Sequence, residues 1–177
     1  MNNKVLVDVI VDDDAWLESV DFDAVRVVEK VKDVVFDFVY EETQHEVIEL
    51  ANKINVNVCL SNDEEVWRLN REFRGKDAPT NVLSFANIDD EEFWDNLSEE
   101  SVDLGEIILS FETLQKEAMQ KQISLYAHFV HLVVHGFLHL LGFDHVEDDD
   151  AEVMEGMEID ILGEFLIDNP YKDIDSK

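Results

Sequence analysis

The chain has 177 residues, of which 13 are Lys or Arg and 43 are Asp or Glu, giving a formal net charge of −30. That length suits one domain with its own core, and a content of 46% hydrophobic and 10% aromatic residues excludes a disordered acidic tail. Averaged over a surface, −30 argues against an open basic groove for nucleic acid, because phosphate attraction dominates that kind of binding.

The single cysteine, Cys59, excludes an intrachain disulfide and a Cys-rich metal cluster. The opening Met-Asn-Asn-Lys carries no basic-then-apolar leader, so a secretory signal is not expected and a reducing cytoplasm is the simplest setting. Val5, Val7, Val9 and Val11 alternate with other residues as a first strand. From Phe22 to about Asn52, Val25, Val28, Val31, Val35, Phe38 and Val39 recur at helical spacing, which predicts two helices with a break near Glu41–Thr43. Asn55 to Leu60 alternates as a second strand, and Ser61-Asn62-Asp63-Glu64 opens a helix running to about Phe73, before Gly75.

Thr80 to Phe85 reads as a third strand, 87–103 as an acidic solvated loop, and Gly105 to Phe111 as a fourth strand. Helices are expected over about 111–121, 123–141 and 148–163. Tyr126 to Phe143 holds 18 residues without Asp, Glu, Lys or Arg, but its four histidines and two glycines favour a buried helix over a membrane span. The expected fold is α+β: one domain over 1–167, with a small four-stranded mixed sheet, five to six helices and a flexible tail at 168–177.

Five of the six histidines lie between positions 128 and 145. His135 and His139 stack one turn apart on a helix, the spacing that offers two imidazoles to one zinc. Gly142 then permits a chain reversal that returns His145 as a third ligand, the His-x-x-x-His-x-x-Gly-x-x-His arrangement of metzincin proteases. Three protein ligands leave a position for water, as catalytic zinc sites do. The glutamate that serves as general base in those proteases is Gly136 here, which disfavours a peptidase. Asp144 is expected to orient a histidine or cap the following turn. His128 and His131 read as cavity lining or support for the ligands, and His45 as a surface residue.

Against the global charge, Arg68, Arg71, Arg74 and Lys76 fall within nine residues, opposed only by Glu72. A guanidinium is a planar fork matched to phosphate oxygens. Arg68 alone reads as a partner for nearby carboxylates, and Arg74, at a helix-to-loop junction, equally as a substrate contact.

Leu69-Asn70-Arg71-Glu72-Phe73-Arg74-Gly75-Lys76-Asp77-Ala78-Pro79-Thr80-Asn81-Val82-Leu83-Ser84-Phe85, together with His135-Gly136 through Asp144-His145 and Glu147 to Met154, resembles the YbeY-type endoribonucleases over about residues 55–163. The resemblance implies a zincin-like fold and one Zn²⁺ held by His135, His139 and His145. It further implies cleavage of single-stranded RNA in 16S rRNA 3′-end maturation and ribosome quality control. Arg74 and His135 match residues needed for activity, with Arg71, Arg74 and Lys76 as substrate contacts. The implied partners are single-stranded rRNA and the ribosomal small subunit with its basic proteins, without DNA or membrane. Phe143 stands for a usual tyrosine, Ala86 for a proline and Glu106 for an aspartate, so a role assigned to that tyrosine hydroxyl does not carry over.

The expected chemistry is metal-assisted hydrolysis or transesterification of a phosphodiester, with Arg74 stabilising the developing charge. A rival from another class is a non-catalytic assembly factor whose metal holds the fold. A fourth protein ligand such as His131 would favour that rival. An atypical metallopeptidase would need a carboxylate brought to the metal from elsewhere in the chain.

Overall fold

Apolar residues that alternate along the chain build four strands in the computed structural model, which describes residues 4–97 and 100–172. They are β1 (Val5–Val11), β2 (Ile54–Ser61), β3 (Val82–Ala86) and β4 (Val102–Ser110), in the sheet order β1-β2-β4-β3. β1, β2 and β4 run parallel, and β3 pairs antiparallel with β4. The sheet is therefore mixed, and β3 forms one of its edges.

Among the described residues five helices have eleven or more residues: α2 (Ala24–Thr43), α4 (Asp63–Arg74), α6 (Phe111–Lys121), α7 (Leu125–Leu140) and α8 (Asp148–Glu164). Three are short: α1 (Ala15–Glu18), which precedes them, and α3 (Glu46–Leu50) and α5 (Glu91–Asp95), which lie between them. Side-chain caps set several starts: Asp23 accepts from the Arg26 N–H at 3.1 Å, and Asn62 from the Glu65 N–H at 3.0 Å. The break after α2 falls at Gln44, which takes a left-handed conformation (φ 51°). α4 ends at Gly75 in the same way, with Arg71 and Arg74 in its last turn, where the helix dipole favours cations.

The two faces of the sheet are unequal. On one side Val56, Val58, Leu60, Leu104, Ile107 and Leu109 join α2, α7 and α8 in the main core. On the other, Leu83 and Ile108 pack with Val66 of α4, flanked by Cys59, Leu69 and Phe85. α7 is the central helix, in contact with α2, α6, α8, β3 and β4, and among the described residues no single helix is long and apolar enough to cross a membrane.

The acidic segment 87–103 differs from the expected solvated loop. Asn87–Asp89 forms a 3₁₀ turn, α5 follows, and β4 begins already at Val102. Ile88, Phe93 and Leu97 are buried, and the Trp94 indole donates to the Ile88 carbonyl at 2.9 Å. A few apolar anchors thus fold its described residues onto the domain, while Asp89, Asp90, Glu91, Glu92 and Asp95 stay in water. Of the stretch 168–177, residues 173–177 lie outside the described residues, whereas Tyr171 turns back onto α7 and α8.

Gly105 lies where the register between β2 and β4 shifts. Its φ is +131°, and an added Cβ would come within 2.1 Å of the Phe85 carbonyl oxygen. Backbone strain and overpacking then act together, so Gly105→Ala should destabilise the protein by roughly 2–5 kcal/mol. A urea-unfolding midpoint close to that of the unmodified chain would contradict this account of the bulge.

Candidate metal centre

Eleven of the sixteen residues of α7 are buried, as its continuous apolar run requires. Ser124 caps its start by accepting from the Ala127 N–H at 3.0 Å. At Gly136 the helix meets the sheet so closely that a Cβ would come within 2.8 Å of Ile107 Cγ2. His135 and His139 lie along a different face, half-buried at the wall of a cleft of about 510 Å³.

Gly142, at φ +89°, reverses the chain after α7. The Phe143 carbonyl returns to accept from His139 Nδ1 at 3.0 Å. Asp144 Oδ1 then accepts from the His145 N–H at 2.7 Å, so this carboxylate caps the turn that presents His145. His45 departs from the surface position expected of it: its Nε2 donates to the Leu141 carbonyl at 2.8 Å and clamps the end of α7. The outcome is that His135, His139 and His145 each place one ligand atom within 4.8 Å of the other two.

Hydrogen bonding decides which nitrogens are bare. His135 Nδ1 lies 2.5 Å from Glu158 Oε1, and Glu158, on the inner face of α8, is only 1% exposed. A carboxylate and a carbonyl can only accept, so both helical imidazoles carry their proton on Nδ1. Their Nε2 atoms face each other at 3.0 Å with lone pairs opposed. Two opposed lone pairs repel, and a cation between them removes the repulsion. The donor set therefore fits a divalent metal that accepts neutral imidazole, held by His135, His139 and His145.

Burial alone would push the Glu158 carboxyl up, but hydrogen bonds and charge from His131 and His135 outweigh it and hold the group at about 2. Tyr171 donates its hydroxyl to Glu158 and lies 3.3 Å from His131 Nε2, while burial and that carboxylate keep the phenol protonated. His131 is thus engaged with Glu158 and Tyr171 rather than with the ligand cluster. His128 pairs with Glu117 at 2.7 Å, and Glu117 accepts in turn from Asn81 at the cleft wall. Sequence reasoning missed Glu158 and Tyr171. The available signal for Glu158 was a charged residue on the apolar stripe Met154, Glu158, Ile161 and Leu162.

The basic residues separate in space. Arg74 lines the same cleft as the three histidines, and its guanidinium donates to the Ser84 carbonyl at 3.1 Å. Arg71 lies over the Trp67 ring, 4.8 Å from its centroid, and Lys76 stands exposed in the loop beyond. Neither Arg71 nor Lys76 is among the cleft-lining residues. Arg68 is taken up by Glu65 at 2.6 Å and Glu72 at 3.0 Å.

With this geometry in place, comparison with known proteins is decisive. A profile of the family described as Endoribonuclease YbeY matches residues 20–166. The chain belongs to the YbeY family. Endoribonuclease YbeY of Sphingopyxis alaskensis is 46% identical over 127 residues, covering 71% of this chain and 76% of that protein. Its counterpart in Bradyrhizobium diazoefficiens is 38% identical over 173 residues, or 97% of this chain and 87% of that one. The solution structure of TM1509 from Thermotoga maritima aligns over 97% of this chain with a TM-score of 0.55 and 24% identity, a likeness of fold. The YbeY match extends beyond residues 55–163, where the motifs lie, and takes in Arg74, the three clustered histidines and Glu158.

Two outcomes follow from the bonding around His135 and His139. Glu158→Gln keeps an acceptor for His135 Nδ1 but removes its charge, and should weaken metal binding about 10–100-fold in competition with a chromogenic chelator. Unchanged affinity would remove Glu158 from the site. Separately, burial and then the neighbouring His135 and His145 lower His139 from 6.5 to about 4. Between those values the unfolded chain binds the extra proton and the folded one does not. The metal-free protein should therefore lose stability as pH falls from about 6.5 through about 4, a slope in urea midpoint that His139→Gln flattens.

Proposed function

We propose that the chain is a zinc-dependent endoribonuclease that cuts single-stranded RNA, acting in the cytoplasm on 16S rRNA 3′ ends and in ribosome quality control. Membership of an endoribonuclease family makes it a hydrolase of RNA phosphodiester bonds. The observation that carries the finer reading is the placing of Arg74 in one cleft with three imidazoles whose bonded partners leave Nε2 free on the two helical rings.

Zinc held there by His135, His139 and His145 would supply Lewis acidity toward a phosphate oxygen and would lower the pKa of water to about 7. The protein's own groups do the positioning. Glu158 and the Phe143 carbonyl fix the ring planes of His135 and His139, so no reorientation is needed when phosphate arrives. The bond to Ser84 uses one of the five N–H donors of the Arg74 guanidinium and anchors it at the cleft edge. The remaining donors suit the charge that builds on a phosphate oxygen in the transition state.

The reading as a non-catalytic assembly factor would be favoured by a fourth protein ligand. Instead His131 is turned to Glu158 and Tyr171, and the cluster among the described residues has three members. Contact with the small subunit and its basic proteins remains compatible with the −30 charge and is part of the proposal. A peptidase lacks support for a steric reason: the position of its general base is Gly136, packed on Ile107 with no room for a side chain.

The test is cleavage of single-stranded RNA by zinc-loaded protein, compared with a base-paired duplex. Arg74→Ala should lower kcat about 10²–10³-fold, the cost of losing one group aimed at developing charge. His139→Ala should abolish both zinc binding and cleavage. Nuclease activity that survives both substitutions equally would belong to another site or to a contaminant.

A further inference from the structure

Two large side chains of α4 stand in water for no reason of packing: Phe73 is 63% exposed and Trp67 37%. Both are tied to guanidinium groups or aromatic rings. Arg71 covers Trp67 at 4.8 Å, Arg74 lies 5.9 Å from the Phe85 centroid, and Phe73 meets Phe85 edge-on at 5.7 Å. The arrangement is fixed from below. The Trp67 indole donates to Asp77 at 3.0 Å, and the buried Asn70 amide holds the Ala78 carbonyl at 2.7 Å.

This surface begins where the metal cleft ends. Side chains alternate along β3, so Ser84 lines the cleft while its neighbour Phe85 packs toward α4. Arg74 spans the two, lining the cleft and lying over Phe85. Arg74 thus stands between two exposed ring sites of α4: Phe73 with Phe85 on one side of the helix, and Trp67 under Arg71 further back along it.

Charge selects the occupant. Arg71, Arg74 and Lys76 pair with no carboxylate among the described residues, in a chain of formal charge −30. A basic protein would find a better match in the carboxylates elsewhere on the surface than in these three cations. An anionic chain bearing flat rings fits both features, since rings stack on aromatic faces and phosphates meet guanidinium groups.

We propose that Trp67, Phe73 and Phe85, interleaved with Arg71 and Arg74, form a ledge on which bases of single-stranded RNA stack as the strand leaves the metal cleft. The proposal rests on the endoribonuclease reading and adds to it how the substrate is gripped beyond the scissile phosphate. It also makes base stacking, rather than charge alone, the source of affinity in an acidic protein.

The experiment uses the zinc-loaded full chain and a fluorescein-labelled, cleavage-resistant 2′-O-methyl oligoadenylate, beside an oligomer of the same length with abasic riboses. Leucine preserves apolar packing and removes the stacking ring. Phe73→Leu and Trp67→Leu should each weaken oligoadenylate binding about tenfold while changing abasic-oligomer binding by less than about twofold. Zinc affinity, read with a chelator, should stay at the unmodified value in both variants, which shows that they are folded. Two results overturn the ledge: variants that bind oligoadenylate as tightly as the unmodified chain, or an equal loss on both oligomers. If the unmodified chain cuts single-stranded RNA in either case, the ledge alone fails. If it neither binds nor cuts RNA, the endoribonuclease reading fails with it.

Discussion

The opposed Nε2 atoms of His135 and His139, 3.0 Å apart, are the constraint around which the rest of the molecule is arranged. Each ring is held in its tautomer by an acceptor from a different part of the chain: Glu158 from α8 and the Phe143 carbonyl from the turn after α7. Glu158 keeps its charge in the interior because His131, His135 and Tyr171 all direct polar atoms to it. A buried carboxylate with fewer partners would take up a proton and release its histidine. The Phe143 carbonyl depends in turn on Gly142, whose positive φ reverses the chain, and on His45, which clamps Leu141. Because the acceptor at position 143 is backbone, a phenylalanine serves there as well as a tyrosine would for this contact.

The same helix has to touch the sheet and serve the metal, and successive positions divide the work. Residue 135 faces the cleft, and residue 136, about 100° further round the helix, faces Ile107. A protease of similar ligand spacing places a glutamate at the second position. Here that direction is filled by the core, and the helix can approach β4 only because the residue is glycine. Packing at this one residue thus removes the usual general base of such a protease and disfavours the peptidase reading.

Much of this was legible in the sequence, for identifiable reasons. The strands and long helices follow from periodicity, since α6 and α8 start where their apolar patterns start and β1 and β2 follow their alternation. The clustering of the three histidines was legible because its geometry is local: two residues one turn apart and a glycine reversal. What escaped was non-local or amphipathic. Glu158 meets His135 from 23 positions away, and a carboxylate on a helix carries no mark of the residue it will face. Segment 87–103 was misread because its acids outnumber its anchors, although Ile88, Phe93, Trp94 and Leu97 decide its structure. His45 was misjudged because the turn it clamps lies 96 residues away.

The charge distribution takes on a different meaning beside the cleft. Acids are concentrated where they cost little: Asp148, Asp149 and Asp150 occupy the first turn of α8, where the helix dipole favours them, and others decorate the exposed face of 87–97. Asp89 and Asp144 even line the cleft itself, together with Arg74. On the proposed reading a phosphate chain is repelled over most of the surface and accepted along α4, where Arg71, Arg74 and Lys76 have no acidic partner among the described residues. Repulsion of this kind lowers binding everywhere else more than it lowers binding at the patch, and so raises the contrast between the two. In that proposal the −30 of the whole chain and the few arginines of α4 act together, the first restricting where RNA would lie and the second directing it to the histidines.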